Sequence, residues 1–294
     1  MTLLAVPNLS EGRDFAALDR LQESLGNEVI LLDRHADVDH HRAVFTIAGD
    51  AGDLTAALIG LAGATTREID MSTWQGIHPA IGAMDVCPIV WIDEADRKGA
   101  RETALNVAME IAGLEVPVFL YGDLATSDER QERSFFREGG LDSLWQRMAS
   151  GELEPDFGPA QPHPAAGAWM VTARPPLAAF NIELDTNDVT IAKEVAAAVR
   201  EAGGGLPGVR AIGLMLSTGR AQVSMNIHDP VSLPLARVVE AVREEAGARG
   251  TVPIEAELIG LIPEAAIEGY PADVPIRDFD PAFHVIERRV PSER

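Results

Sequence analysis

A histidine set between glycine and proline is where this chain could do chemistry. His78 lies in "GIHPAIGAMDVCPIVWI", residues 76–92. Gly76, Pro79 and Gly82 fence it, and an apolar, β-like stretch follows within a few residues. Glycine and proline fix unusual backbone paths, and a rigid strand holds the result in place. Imidazole is the side chain that both takes and gives a proton near neutral pH. A loop histidine can also serve only as a backbone hydrogen-bonding group, and a single histidine does not decide between the two roles. A second polar cluster, "HADVDHHR" (residues 35–42), holds ligand-type side chains in His35, Asp37, Asp39, His40 and His41. Adjacent histidines on a strand point to opposite faces. The spacing matches no metal motif, so no metal is expected.

The elements that must position these residues fall into two series. In the first, strands are expected at 2–6, 28–33, 43–49 and 84–92, and helices at 14–25 and from Asp53 to about Arg67. A further helix (94–113) and strand (117–121) follow. In the second, strands are expected at 178–184, 209–216, 220–227 and 254–261. Helices are expected from a cap at Asp188 to about Ala202, and at 232–247. Each series reads βαββαβ, the split βαβ pattern. The expected fold is therefore α/β (α+β): two subdomains, 1–176 and 177–294, each a ferredoxin-like sheet with helices on one face. Residues 151–176 hold six of the chain's 19 prolines. This is too many for a helix or a central strand, and the stretch reads equally as an interdomain linker or a functional loop. The tail after 264 reads as partly helical, with "IERRVPSER" (286–294) loose.

Composition narrows the class. The 294 residues are 46% hydrophobic and 24% charged, as in soluble globular proteins. The net charge of −22 argues against nucleic acid and anionic membranes as partners. Cys87 is the only cysteine, so no intrachain disulfide forms, and its apolar neighbours suggest a buried small hydrophobe. Neither a signal peptide nor a membrane span is evident, and a cytoplasmic location is expected.

Several segments, in order, resemble glutamate formimidoyltransferase, the formiminotransferase part of formimidoyltransferase-cyclodeaminase. They are "VPNLSEGR" (6–13), "HHRAVFTIAGD" (40–50), "IDMSTWQGIHPAIGAMDVCP" (69–88), "VFLYGDLA" (118–125), "PDFGPAQPHPAAGA" (155–168), "ARPPLAAFNIEL" (173–184), "AQVSMNI" (221–227) and "ELIGLIP" (257–263). The resemblance implies two α/β subdomains with tetrahydrofolate bound as co-substrate in the crevice between them. It implies His78 as the catalytic proton carrier. It places folate on the loop Gly158, Pro159, Ala160, Gln161, Pro162, His163, Pro164, Ala165, Ala166 and Gly167. The family's second segment reads "DxD" then "NR"; here it is "DRHADVDHHR", with His35 near the second acidic position and His41 in place of asparagine.

The implied reaction moves a formimidoyl group from N-formimidoyl-L-glutamate to N5 of tetrahydrofolate. The attacking nitrogen must shed a proton and the departing amine must gain one. One histidine can act as base and then as acid, and neither step needs a nucleophilic cysteine. Asp85, Asp37 or Asp39 could orient the ring. Both substrates carry carboxylates, so Arg42, Arg174 or Arg220 are candidate clamps. Asn8, Ser10 and Glu11 form a polar loop that could reach the same site, with Asn8, Asp39, Arg42, Asp85 and Arg174 as the substrate-binding set. The expected partners are the two small-molecule substrates, a second copy in a homodimer, and a separate cyclodeaminase. Formyl transfer from N-formylglutamate on the same scaffold, or a non-catalytic folate-binding protein, are the competing readings.

Overall fold

A computed structural model of the chain describes residues 1–290. The chain divides into two compact units, one ending at Pro175 and the other beginning at Pro176. In the first, β1 (Leu3–Ala5) and β2 (Asn8–Leu9) are two halves of one broken strand, followed by α1 (Phe15–Glu23), β3 (Ile30–Asp37), β4 (Arg42–Gly49), α2 (Ala51–Glu68) and β5 (Met84–Val90). Pro7 breaks the strand because it has no N–H to give the ladder. Pairing nonetheless continues across the break, with the Val6 N–H on the Pro88 carbonyl and the Phe45 N–H on the Pro7 carbonyl. Then come α3 (Arg97–Ala112), β6 (Val118–Leu120), α4 (Arg133–Arg137), α5 (Gly140–Ala149) and β7 (Trp169–Arg174).

Spatial order in this sheet is β3-β4-β1/β2-β5, all antiparallel, extended by β7 and β6, which run parallel to β5. The first four positions are those of the expected βαββαβ unit. Strand β7 is a correction to the expectation for 151–176. It is a buried interior strand between β5 and β6. The glycines and most of the prolines stop at Gly167, and "AWMVTAR" beyond it is an apolar run able to pair on both edges. Helices α1, α2 and α3 close one face over Leu18, Leu21, Phe45, Ile47, Leu58, Leu61, Val107 and Ile111. Alternate strand residues Val86, Phe119 and Met170 point to the other face, where α4 and α5 cover them with Phe136, Leu144 and Met148.

The second unit contains β8 (Ala178–Leu184), α6 (Val189–Val199), β9 (Val209–Met215), β10 (Ala221–Ile227), α7 (Leu235–Gly247) and β11 (Pro253–Ile259). Its four strands are ordered β11-β8-β10-β9, the same antiparallel arrangement. Asp188 caps α6 by accepting the Thr190 N–H. Val195, Val199, Val238, Val239 and Val242 supply the helical side of its core. In the tail expected to be partly helical, α8 (Pro281–His284) is a short helix, and α9 (Ile286–Arg289), with Ile286 buried, forms a second where a loose end was expected. Residues 291–294 lie outside the described residues. No described helix is long and apolar enough to cross a membrane.

Candidate active site at the His78 loop

The β3–β4 hairpin builds one wall of the site. Asp37 ends β3, Arg42 starts β4, and His41 closes the turn in the left-handed region at φ 50°. Asp37 Oδ1 accepts the His40 backbone N–H at 2.8 Å, and Oδ2 pairs with His40 Nδ1 at 2.5 Å. Burial pushes the Asp37 carboxyl up, but His40 more than reverses this and lowers it to about 2. His40 is 1% exposed, and its Nε2 has no hydrogen-bond partner. His41 stacks on Trp74 with ring centroids 5.9 Å apart. Its Nδ1 accepts the Gly12 N–H at 3.2 Å. Burial lowers the His41 pKa, against the opposing pull of Glu11. Glu11 Oε1 in turn accepts the backbone N–H groups of Gly12, Arg13 and Asp14, which fixes the loop after β2.

His78 faces this wall. Its Nδ1 lies 2.9 Å from the Pro79 carbonyl and its Nε2 lies 2.8 Å from Arg42 Nη1. Guanidinium only donates, so Nε2 carries the lone pair. Nδ1 carries the proton and donates it to the carbonyl. The His40 ring stands edge-on at 6.1 Å. Burial, then Arg42 and Arg137, hold the His78 imidazole well below its usual pKa. His78 is thus a neutral base at pH 7, with its acceptor atom preset. A pocket of about 340 Å³ opens beside it, walled by Met71, Trp74, Ile77, Pro79, Arg137 and Leu141.

Arginines dominate the surroundings. Asp85, 3% exposed, accepts the Ile81 N–H at 2.8 Å and forms an ion pair with Arg137. Burial, then Arg137 and Arg133, lower Arg42 to about 10. Burial lowers Arg174 to about 10, with Arg133 adding to the effect and Tyr121 opposing it. Arg133 is lowered by the same burial. Burial raises the Tyr121 phenol, although Arg133 and Arg174 pull it down.

The Pro-rich loop docks directly on the His78 loop. Ala168 N–H donates to the Ile81 carbonyl, and Ala83 N–H to the Ala166 carbonyl. A Cβ on Gly82 would meet the Ala168 carbonyl oxygen at 2.0 Å, and one on Gly167 would meet the Ile81 oxygen at 2.1 Å. Only glycine permits this approach. Ala166 and Gly167 are buried in that contact, whereas Gly158, Ala160, Gln161 and Pro164 are exposed. His163 closes the loop on itself. Its backbone pairs with Gly167, and its Nδ1 accepts the N–H groups of Ala165 and Ala166 at 3.2 and 2.9 Å.

The candidate residues therefore separate. Arg42 touches His78. Asp85 anchors Arg137 and the backbone of Ile81. Arg174 donates to the Pro175 carbonyl at 2.9 Å, and Asn8 donates to the Val6 carbonyl at 2.9 Å. Ser10 Oγ braces the Gly82 carbonyl at 2.7 Å. Asp37 holds His40 and not His78, and Asp39 is half-buried in the hairpin turn. Arg220 belongs to the second unit, in the turn between β9 and β10. Cys87 is fully buried, and burial pushes its thiol up to about 12, which makes it a poor nucleophile. His40 was foreseen only as a ligand-type side chain of the 35–42 cluster, and Trp74, Arg133 and Arg137 were not foreseen as site residues. For the two arginines the available signal was their spacing of four within "ERSFFREGG", which puts both on one side of a helix.

Comparison with known sequences gives the family. The family model described as the formiminotransferase domain, N-terminal subdomain, matches residues 2–174, and that of the formiminotransferase domain matches 179–270. The chain is 37% identical over 290 residues to a Streptococcus pyogenes serotype M1 protein named glutamate formimidoyltransferase, covering 97% of each. It is 32% identical over 268 residues to a Thermoplasma acidophilum protein of the same name, covering 89% of this chain and 88% of that one. It is 33% identical to the formimidoyltransferase-cyclodeaminase of Mus musculus, covering 89% of this chain and 50% of that protein. Two family matches that together span most of the sequence, with the His78 loop and its arginines inside the first, make this chain a member of the formiminotransferase domain family.

Proposed function

We propose that this protein transfers the formimidoyl group of N-formimidoyl-L-glutamate to N5 of tetrahydrofolate, with His78 as the proton carrier. The observation that carries this reading is the preset His78 tautomer: Nδ1–H on the Pro79 carbonyl and a lone pair on Nε2 beside Arg42. The names of the streptococcal and archaeal relatives support the donor. Tetrahydrofolate supplies the nucleophilic nitrogen. A planar ring with polar edges suits the pocket wall of Met71, Trp74, Ile77 and Leu141 with His78 and Arg137 on it. The exposed rim of the Pro-rich loop, Gly158 to Gln161 with Pro164, would hold the rest of the molecule.

Nε2 of His78 takes the proton from the attacking nitrogen and returns it to the departing amine, which otherwise leaves poorly. Such general acid–base action contributes on the order of 10²–10⁴ in rate. Arg42 releases Nε2 as substrate enters, and its positive charge makes the protonated ring a better acid for the second step.

The test is turnover of the purified protein with tetrahydrofolate and either formimidoylglutamate or formylglutamate, the folate products being separated. A 5-formimidoyl product from the first donor is expected. Product only from the second donor replaces the reading with formyl transfer. Folate binding with neither product leaves a binding protein.

A further inference from the structure

Helix α4 carries Arg133 and Arg137 one turn apart, at spacing i, i+4, so both start from one side of the helix. Arg137 shares the pocket wall with His78. One of its terminal nitrogens holds Asp85, while its Nε is buried with no hydrogen-bond partner among the described residues. Arg133 is close enough to oppose positive charge on His78, Arg42 and Arg174. Arg133 thus feels three other guanidinium groups, those of Arg42, Arg137 and Arg174. The carboxylates that favour their charge are Asp37, Asp85 and Glu132. One of these is already committed to His40. In a chain of net charge −22, partly desolvated and mutually repelling cations are unfavourable unless an anion joins them.

We propose that Arg133 and Arg137 form the side-chain carboxylate subsite for the amino-acid donor, with Arg42 taking its α-carboxylate. The site would then select dicarboxylic amino-acid derivatives over the corresponding amides. This rests on the transfer reading above. The placement follows from bond connectivity. Nε2 of His78 serves the amine nitrogen, and the α-carboxylate is borne by the carbon attached to that nitrogen. The guanidinium beside Nε2 is Arg42, at 2.8 Å. The second carboxylate lies two methylenes further out, and Arg137 is the cation lining the same pocket. Arg133 starts one turn earlier on the same side of α4.

The experiment is calorimetry with L-glutamate and L-glutamine, which differ only in the side-chain carboxylate, on wild type, Arg133→Gln and Arg133→Lys. Wild type is expected to prefer glutamate by at least about tenfold, the scale of one charge-assisted contact. Arg133→Gln should lose most of that preference while glutamine binding stays within about twofold, and Arg133→Lys should recover part of it. With formimidoylglutamate as donor, Arg133→Gln should raise KM far more than it lowers kcat. A wild type indifferent to the two amino acids, or an Arg133→Gln protein that keeps the full preference with an unchanged thermal transition, overturns the proposal. Its failure is separable from failure of the transfer reading. An Arg133-dependent glutamate preference without turnover removes the reaction and leaves the subsite. Turnover without the preference removes the subsite and leaves the reaction.

Discussion

The two units share one four-strand order and both pair surface arginines with carboxylates, but the first also holds arginines whose charge burial opposes. In the second unit arginines sit at the surface beside carboxylates. Arg277 pairs with Glu183, Glu255 and Glu257, Arg249 with Glu245 and Glu194, and Arg243 with Asp273. Hydrogen bonds to those carboxylates outweigh burial and raise the Arg277 and Arg249 pKa values. In the first unit Arg42, Arg133 and Arg174 are half-buried, and burial with repulsion from neighbouring arginines lowers all three. A paired surface arginine needs nothing further. A cluster of half-buried, mutually close arginines costs free energy that a bound anion can recover. The same skeleton is therefore closed electrostatically in one copy and left open in the other.

The largest effect that would break this contrast is at its centre. His78→Ala should cut turnover by at least roughly 10²-fold, as for loss of a general acid–base group, while a reduced folate still binds by calorimetry. Near-normal turnover would remove His78 from the reaction. The paired arginines of the second unit give no reason to expect a loss of that size anywhere among them.

Arg42→Gln comes next. Arg42 helps hold His78 well below its usual pKa, so the wild-type acid limb of kcat/KM should lie well below pH 6.5. Removing the cation should move that limb upward, towards pH 6.5, in a pH–rate profile. The sign for stability is the same. A histidine with a lowered folded-state pKa contributes stability above its unfolded pKa of about 6.5 and loses it as pH falls through the folded value. The difference between wild type and His78→Ala in denaturant unfolding should therefore shrink from pH 7.5 to pH 5.5. A limb that stays put in Arg42→Gln would show that the 2.8 Å contact does not set the basicity of His78.

Gly82→Ala tests the support beneath the site. Its Cβ would sit 2.0 Å from the Ala168 carbonyl oxygen, which is backbone and must move. A loss of roughly 1–3 kcal/mol is expected, together with weaker folate binding as the Pro-rich loop shifts. Wild-type stability by thermal unfolding would mean that the two loops are not locked together. The smallest effects belong to the second unit. Arg277→Ala should cost about 1 kcal/mol and Arg243→Ala about 0.5 kcal/mol or less, as for solvent-exposed ion pairs, with turnover unchanged in both.

Much of this was legible in the residues, for reasons that also explain what was not. Period 2 and period 3.6 patterns located the strands and helices of both βαββαβ series, because each buries one face. Asp188 announced the start of α6. Strand β7 was hidden because proline count was averaged over 151–176, although the prolines cluster on either side of Trp169–Arg174. Helix α4 was hidden because it is five residues long, and α5 because Gly139 and Gly140 at its start read as a break; both glycines adopt positive φ. His78 was legible from its Gly/Pro frame. Its partner was not, since three aspartates were nearer in chemical logic than Arg42, and only the hairpin turn brings the start of β4 to the ring. Arg133 and Arg137 stayed unseen because a charge pair on a short helix ordinarily means a solvated face.

Cys87 offers a way to watch the scaffold open. It is the chain's sole thiol, fully buried in β5, and its ionisation is pushed up to about 12. Strand β5 is bordered by β1 and β2 on one side and β7 on the other. Its side chain lies on the sheet face covered by α1, α2 and α3, so a thiol reagent can react only after that helical layer lifts from the sheet. Under native conditions the labelling rate becomes a clock for rare opening of the core beneath the strand that follows the His78 loop. A bound substrate that braces the loop should slow that clock, so a single unmutated sulfur can report ligand affinity without any assay of turnover.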